Sequence, residues 1–175
     1  IGGAISVSGG NQVVMGSKLQ HQAGVTDDTP ALMIEDFLEN GNHANVMDLL
    51  TLLANNVGQA TDWVHDYIGV QYDMKGGLHV LAEYQKDREL AYDHGGHGFA
   101  AAVRDKLAQS NVRVLLQTKA QQLLSDGKGG VNGIVAVEEN GRTHRIHSRA
   151  VVLTTGGYGN NKDLLPRRLR NVLFY

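Results

Sequence analysis

The 175-residue chain contains no cysteine, which excludes disulfides, thiolate metal sites and thiol nucleophiles. That absence leaves the compartment open, and a cytoplasmic location is the expectation. An excess of either charge is also lacking. A net charge of −2 gives the molecule no field for nucleic acid or an anionic membrane surface. No apolar run approaches the roughly 20 residues that a membrane helix needs, and no signal-peptide pattern is present. Hydrophobic content of 42% with 19% charged residues is that of a soluble globular protein, long enough for one good-sized core and short of two. The chain opens on Ile1-Gly2-Gly3 and stops in an apolar run at 171–175, so both ends are expected to be cut from a longer polypeptide.

What the chain does have is glycine, and the stretch around which it is organised is Ala150-Val151-Val152-Leu153-Thr154-Thr155-Gly156-Gly157. Residues 151–153 do not alternate between apolar and polar, which predicts a strand buried on both faces. The glycine pair strips side chains from the strand end, where α/β proteins dock ligands. At the other end, Gly2-Gly3 and Gly9-Gly10 leave residues 1–28 without helix or strand periodicity, predicting a flexible glycine-rich loop.

Asp28-Thr29-Pro30 opens a predicted helix over 30–40, since Asp28 or Thr29 can cap it and Pro30 suits its first turn. A second helix is predicted over 44–67, with Val46, Leu49, Leu50, Leu53, Val57, Trp63 and Tyr67 on a stripe that packs. Trp63 has a ligand-stacking alternative, although stripe aromatics usually pack. Short strands are expected on either side of Gly76-Gly77. The segment Asp93-His94-Gly95-Gly96-His97-Gly98 leads into a helix to about 109, whose first amides are free to hold an anion. His94 has three readings: an exposed loop histidine, a substrate-side residue, and a metal ligand with His97. The two histidines straddle glycines, so no fixed ligand geometry follows and no metal is assigned. Strands are predicted at 112–116, 120–125, 131–138 (Ile134 and Val137 inward) and 142–148, with Asn140-Gly141 as a hairpin turn. Arg167, Arg168 and Arg170 form a local basic patch. The fold class is α+β, helices followed by an antiparallel β-meander.

Taken together, these motifs resemble the FAD-dependent fumarate reductase and succinate dehydrogenase flavoprotein family, in particular the soluble single-chain fumarate reductases and their ketosteroid dehydrogenase and urocanate reductase relatives. The residues that carry the resemblance are Gly2-Gly3…Gly9-Gly10, the two helices, Asp93-His94-Gly95-Gly96, Gln117-Thr118-Lys119-Ala120 and Thr154-Thr155-Gly156-Gly157-Tyr158. The resemblance implies an excerpt, 1–175, of the central part of one Rossmann-like FAD-binding domain. It implies that Ser8, Gly9 and Gly10 lie beside the isoalloxazine, with Gly2 and Gly3 at the start of the same loop. The Ala120 backbone would meet the adenine edge, and Thr155, Gly156 and Gly157 would run along the diphosphate and ribose. The implied partners are FAD, a small dicarboxylate and the remaining parts of the same chain.

The chain departs from the family pattern in several places. The family's G-x-G-x-x-G and its proton-donating arginine are absent from these residues, so no catalytic residue is assigned. Tyr92-Asp93-His94 stands where many members carry His-Arg-Pro, and Asn11 where methionine is common. The activity implied is reduction of fumarate to succinate by hydride from FAD. The alternatives are a ketosteroid or urocanate reductase, and a non-catalytic interaction domain whose glycine pairs only tighten loops.

Overall fold

The computed structural model describes residues 2–157 and residue 161. The chain divides into two compact units, Ile1–Val112 and Arg113–Tyr175. In the first, a 3-10 turn at Gly3–Val7 is followed by strand β1 (Asn11–Val13), helices α1 (Lys18–Gln22), α2 (Pro30–Asn40) and α3 (Met47–Trp63), strand β2 (Glu89–Ala91) and helix α4 (Gly95–Ala108). β1 and β2 pair antiparallel, Asn11 opposite Ala91 and Val13 opposite Glu89.

Residues 1–28, expected as a loop, therefore carry a turn, a strand and a helix. The reason lies in side-chain caps and long-range pairing. Ser17 caps α1 by accepting from the Gln20 amide, while the Gln20 side chain accepts from the Gly16 amide at 2.7 Å. That Ser-x-x-Gln pattern is close to a capping box. β1 has only three residues and is a strand because β2 supplies its ladder.

α2 forms as expected, and its cap is Thr29, whose hydroxyl accepts from the Leu32 amide at 3.2 Å. Asp28 is used elsewhere. α3 starts at Met47 and passes into a π turn, Val64–Ile68, that Gly69 ends at φ 91°. The strands expected around Gly76-Gly77 reduce to two isolated bridges, Tyr72 with Tyr92 and His79 with Glu89. Two buried clusters form the core of this unit. One joins Val14, Leu19, Val70, Tyr72, Leu90 and Tyr92, and the other Met15, Met33, Ala54 and Val57.

The stripe of α3 is only partly buried. Leu50, Ala54, Val57, Gly58 and Thr61 face the core, whereas Val46, Leu49, Leu53, Trp63 and Tyr67 are 44–64% exposed. The buried strip is narrow because α3 sits directly on main chain: a Cβ at Gly58 would lie 2.6 Å from the Gly16 carbonyl carbon. Beside it Leu49, Leu52, Leu53, Asn11 and Val13 line an open groove of about 650 Å³. Trp63 stacks on Tyr67 with ring centroids 5.4 Å apart, and Lys106 Nζ stands 3.8 Å above the Tyr67 ring.

Arg88, fully buried, joins three parts of this unit. Its Nε and Nη2 donate to the two oxygens of Asp28, both at 2.9 Å, and its Nη1 donates to Asp36 Oδ2 at 2.5 Å. Asp28 also accepts from Gln20 Nε2 at 2.8 Å, and Asp36 from the Gln85 amide. Burial pushes the Asp36 carboxyl upward, but hydrogen bonds from Arg88 and Gln85 outweigh it and hold the group below its ordinary 3.8. A carboxyl depressed in the folded state stabilises it above the unfolded value, and this contribution is lost as pH falls through the folded value. Stability measured by urea denaturation should accordingly be level near neutrality and fall in acid below about pH 4. An Asp36→Asn variant should be less stable at pH 7 and show a shallower acid fall; an unchanged acid slope would count against this origin.

The second unit is a three-stranded antiparallel sheet in the order β3 (Thr118–Ser125), β4 (Val131–Glu138), β5 (Thr143–His147), the meander expected. Asp126 Oδ1 closes the first turn by accepting from the Lys128 and Gly130 amides, and Gly141, at φ 87°, closes the second. Gly133 and Ala136 are the buried residues of β4; Ile134 and Val137 are only half-buried. On the sheet, Glu138 lies 2.5 Å from His144 Nε2, and this contact, with a hydrogen bond from Asn140, holds the carboxyl below its ordinary range.

Two strand expectations are corrected. Residues 112–116 and 150–154 join no ladder among the described residues, and Val112, Leu116, Val152 and Leu153 are 61–82% exposed. Their composition favours strand, but a strand also needs a hydrogen-bonding neighbour, and none of the described strands pairs with either run. Tyr158 and the basic patch of Arg167, Arg168 and Arg170 lie outside the described residues. Among the described residues no helix is long and apolar enough to cross a membrane.

Candidate functional site

The first glycine loop and the start of α4 are built against each other. In the 3-10 turn the Ser6 hydroxyl donates to the Gly3 carbonyl and the Ser8 hydroxyl to the Ile5 carbonyl, both at 2.8 Å. The chain then passes Gly9 and Gly10 into β1. The Gly96 amide donates to the Ser8 carbonyl at 3.3 Å, and the Tyr92 amide to the Gly10 carbonyl at 2.7 Å. Gly10, at φ 78°, has no room for a side chain, because a Cβ there would lie 2.5 Å from the Gly95 carbonyl carbon. A Cβ on Gly96 would overlap the Ile5 carbonyl oxygen and the Ser8 hydroxyl. These glycines are required by contact between two main chains.

At Gly2, φ 138°, a Cβ would lie 3.0 Å from Ser6 Cβ, whereas four other candidate glycines have a different surrounding. A Cβ at Gly3 or Gly9 would meet nothing within 4 Å, and the same holds for Gly156 and Gly157. Their faces are open, and a flat ring or a phosphate can approach the main chain there without meeting a side chain.

The structure thus brings together Gly2, Gly3, Ser8, Gly9, Gly10 and the His94-Gly95-Gly96 turn, all in the first unit. Ala120, Thr155, Gly156 and Gly157 belong to the second. Ala120 is exposed on β3, opposite Ala136, beside a register shift that skips Gln121. Thr155, Gly156 and Gly157 are exposed and in no regular element.

The reading of α4 as an anion site with free amides is corrected. The Gly95 amide donates to the Tyr92 carbonyl at 2.9 Å, Gly96 to Ser8, and Gly98 to His94 at 3.2 Å. His94 sits at the N-cap in the left-handed region, φ 60°, with its side chain 82% exposed and Nε2 3.8 Å from Asp93 Oδ2. The described residues hold no group of three or more His, Asp or Glu suited to a metal ion.

Two arrangements escaped the sequence reading. Asn11 Nδ2 lies 3.3 Å from His79 Nδ1, at the exposed edge next to Gly10. Beneath it, Gln12 Oε1 accepts from both Tyr72 (2.8 Å) and Tyr92 (2.9 Å) hydroxyls, while Gln12 Nε2 donates to Thr61 Oγ1 at 2.7 Å. Burial pushes both phenols above their ordinary value. The signal for Gln12 was faint: a polar residue between glycines and the apolar Val13-Val14, facing inward only because β1 pairs with β2.

Known proteins share this architecture. Over 171 residues the chain is 28% identical to the urocanate reductase of Eggerthella lenta, covering 94% of this chain and 27% of that protein. It is 27% identical over 173 residues to a fumarate reductase (cytochrome) of Shewanella frigidimarina, covering 95% of this chain and 28% of that protein. Among solved structures, the open conformation of a flavocytochrome c3 fumarate reductase superposes with a TM-score of 0.79 at 26% identity, over 90% of this chain and 28% of the other. The chain thus spans just over a quarter of the length of these relatives. The family model described as FAD binding domain matches residues 1–174. FAD is therefore the cofactor that the family match indicates, and the chain belongs to the FAD binding domain family.

Proposed function

We propose that the chain is the flavin-framing part of a longer reductase that converts the double bond of an unsaturated dicarboxylate to a single bond, fumarate to succinate. The observation that carries this reading is the family match over residues 1–174, with fumarate reductases among the similar proteins. Bound FAD would supply the hydride for one alkene carbon. The chain's own residues orient and expose. Gly3 and Gly9 leave the first loop bare, and the reading puts Ser8, Gly9 and Gly10 beside the isoalloxazine, with Gly2 and Gly3 at the start of the same loop. The Ala120 main chain takes the adenine edge, and Thr155, Gly156 and Gly157 the diphosphate and ribose. His94, exposed beside the first loop, is the substrate-side residue of the reading. The proton for the second carbon and the carboxylate clamp come from the rest of the polypeptide, so no catalytic residue is assigned within these residues.

The full-length protein should show flavin absorbance bands and oxidise a reduced dye when fumarate is added. A second reading, urocanate reduction, is favoured by the Eggerthella lenta relative. Fumarate, urocanate and a ketosteroid tested side by side separate the members of this group. Turnover of none of them by flavin-loaded protein would sink the reductase reading, and colourless protein would favour a non-catalytic domain.

A further inference from the structure

We propose that Gln12 is a positioning residue for the flavin: its side-chain amide fixes where Gly9 and Gly10 lie by holding Tyr72, Tyr92 and Thr61 in one network. The inference rests on the reading that residues 8–10 face the isoalloxazine. Gln12 follows Gly10 by two residues on β1, with its amide turned into the core. An amide oxygen has two lone pairs, and here both are used, by the Tyr72 and Tyr92 hydroxyls at 2.8 and 2.9 Å. The amide nitrogen donates to Thr61 Oγ1, whose own proton goes to the Val57 carbonyl at 2.8 Å, so the chain of donors ends on α3.

Tyr92 carries the effect outward. Its amide donates to the Gly10 carbonyl and its carbonyl accepts from the Gly95 amide, so the residue that Gln12 holds by its hydroxyl holds both glycine turns by its main chain. Those turns touch without slack, since neither Gly10 nor Gly96 has room for a Cβ. A shift of Tyr92 therefore moves the Gly9-Gly10 main chain. Methionine has the length of glutamine and none of its hydrogen bonds, so Gln12→Met isolates the amide.

The test uses the full-length flavoprotein, with FAD affinity, visible flavin spectrum, midpoint potential, kcat and melting temperature measured together. Gln12→Met leaves two phenols without their acceptor, and FAD should bind about tenfold more weakly, with an altered spectrum and potential. The effect on turnover should fall on kcat rather than on KM for the substrate. The combined Gln12→Met, Tyr72→Phe, Tyr92→Phe variant removes the orphaned hydroxyls as well. It should regain melting temperature while its potential stays displaced. Unchanged affinity and potential in Gln12→Met would overturn the proposal, as would a potential that returns with stability in the combined variant. Wild-type protein without flavin bands removes the underlying reading and this inference with it, a failure visible before any substitution is made.

Discussion

An Arg88→Met protein should lose about 3–5 kcal/mol of stability, the usual result of removing one partner from a buried ion pair. Two carboxylates depend on this one guanidinium, Asp28 at 1% and Asp36 at 3% side-chain exposure. Without it their negative charges stay in the interior with only amides for company, or must take up protons. A loss of that size is a large fraction of the roughly 5–15 kcal/mol that a domain has in total. Lysine should not rescue it, because one ammonium cannot grip both oxygens of Asp28 and also reach Asp36. Replacing the three charges, Arg88→Met with Asp28→Leu and Asp36→Leu, should recover part of the deficit, since apolar substitutes of similar volume often match a buried ion pair, while Gln20 Nε2 and the Gln85 amide each lose a carboxylate acceptor. Urea denaturation of the three variants reads this directly. An Arg88→Met protein within about 1 kcal/mol of wild type would show that the network is dispensable.

Gly96→Ala should be destabilising by about 1–3 kcal/mol, the cost of forcing extra volume into a packed site. The sign is the informative part. Within a helix, replacing glycine by alanine ordinarily gains up to about 1 kcal/mol, and Gly96 lies in the first turn of α4. Here the added methyl would collide with the Ile5 carbonyl oxygen and the Ser8 hydroxyl, so the 3-10 turn must retreat. Gly9→Ala is the contrasting variant. It has no neighbour within 4 Å and no left-handed φ, so its stability should be that of wild type within about 0.5 kcal/mol. Both variants should lose flavin, Gly96→Ala because the loop moves and Gly9→Ala because the bare face is filled. Thermal unfolding alongside the ratio of flavin to protein distinguishes them. A Gly96→Ala protein more stable than wild type would refute the close contact, and a Gly9→Ala protein with full flavin and activity would remove Gly9 from the ring-facing surface.

The parts of the fold that the sequence announced are those whose cause is local. Thr29-Pro30 caps and starts α2, Asn140-Gly141 turns β4 into β5, and β4 runs over the residues that its pattern predicts. What stayed hidden has a distant cause. β1 and β2 are three residues each and exist only through their pairing. Arg88 stands among charges in Lys86-Asp87-Arg88-Glu89, yet it is buried, where Asp28 and Asp36 reach it from far along the chain. The runs at 112–116 and 150–154 erred in the opposite direction, with strand-like composition and no ladder. At the candidate site the glycine pairs were legible as close approaches, but what approaches Gly10 and Gly96 is the chain itself. Only Gly3, Gly9, Gly156 and Gly157 keep the open faces that the pattern suggested.

The pairing of β1 with β2 also sets an order in time. Asn11 and Ala91 are partners across 80 positions of sequence. Closing a loop of that length costs roughly 4 kcal/mol of chain entropy beyond a fixed term, before any bond across it compensates. Helices α2, α3 and α4 are local and form early by comparison, whereas the union of the first glycine loop with the start of α4 waits for that closure. The junction of residue 8 with residue 96 is thus among the last parts of this unit to exist, and if the proposed reading holds, a nascent chain can place FAD against it only after that closure.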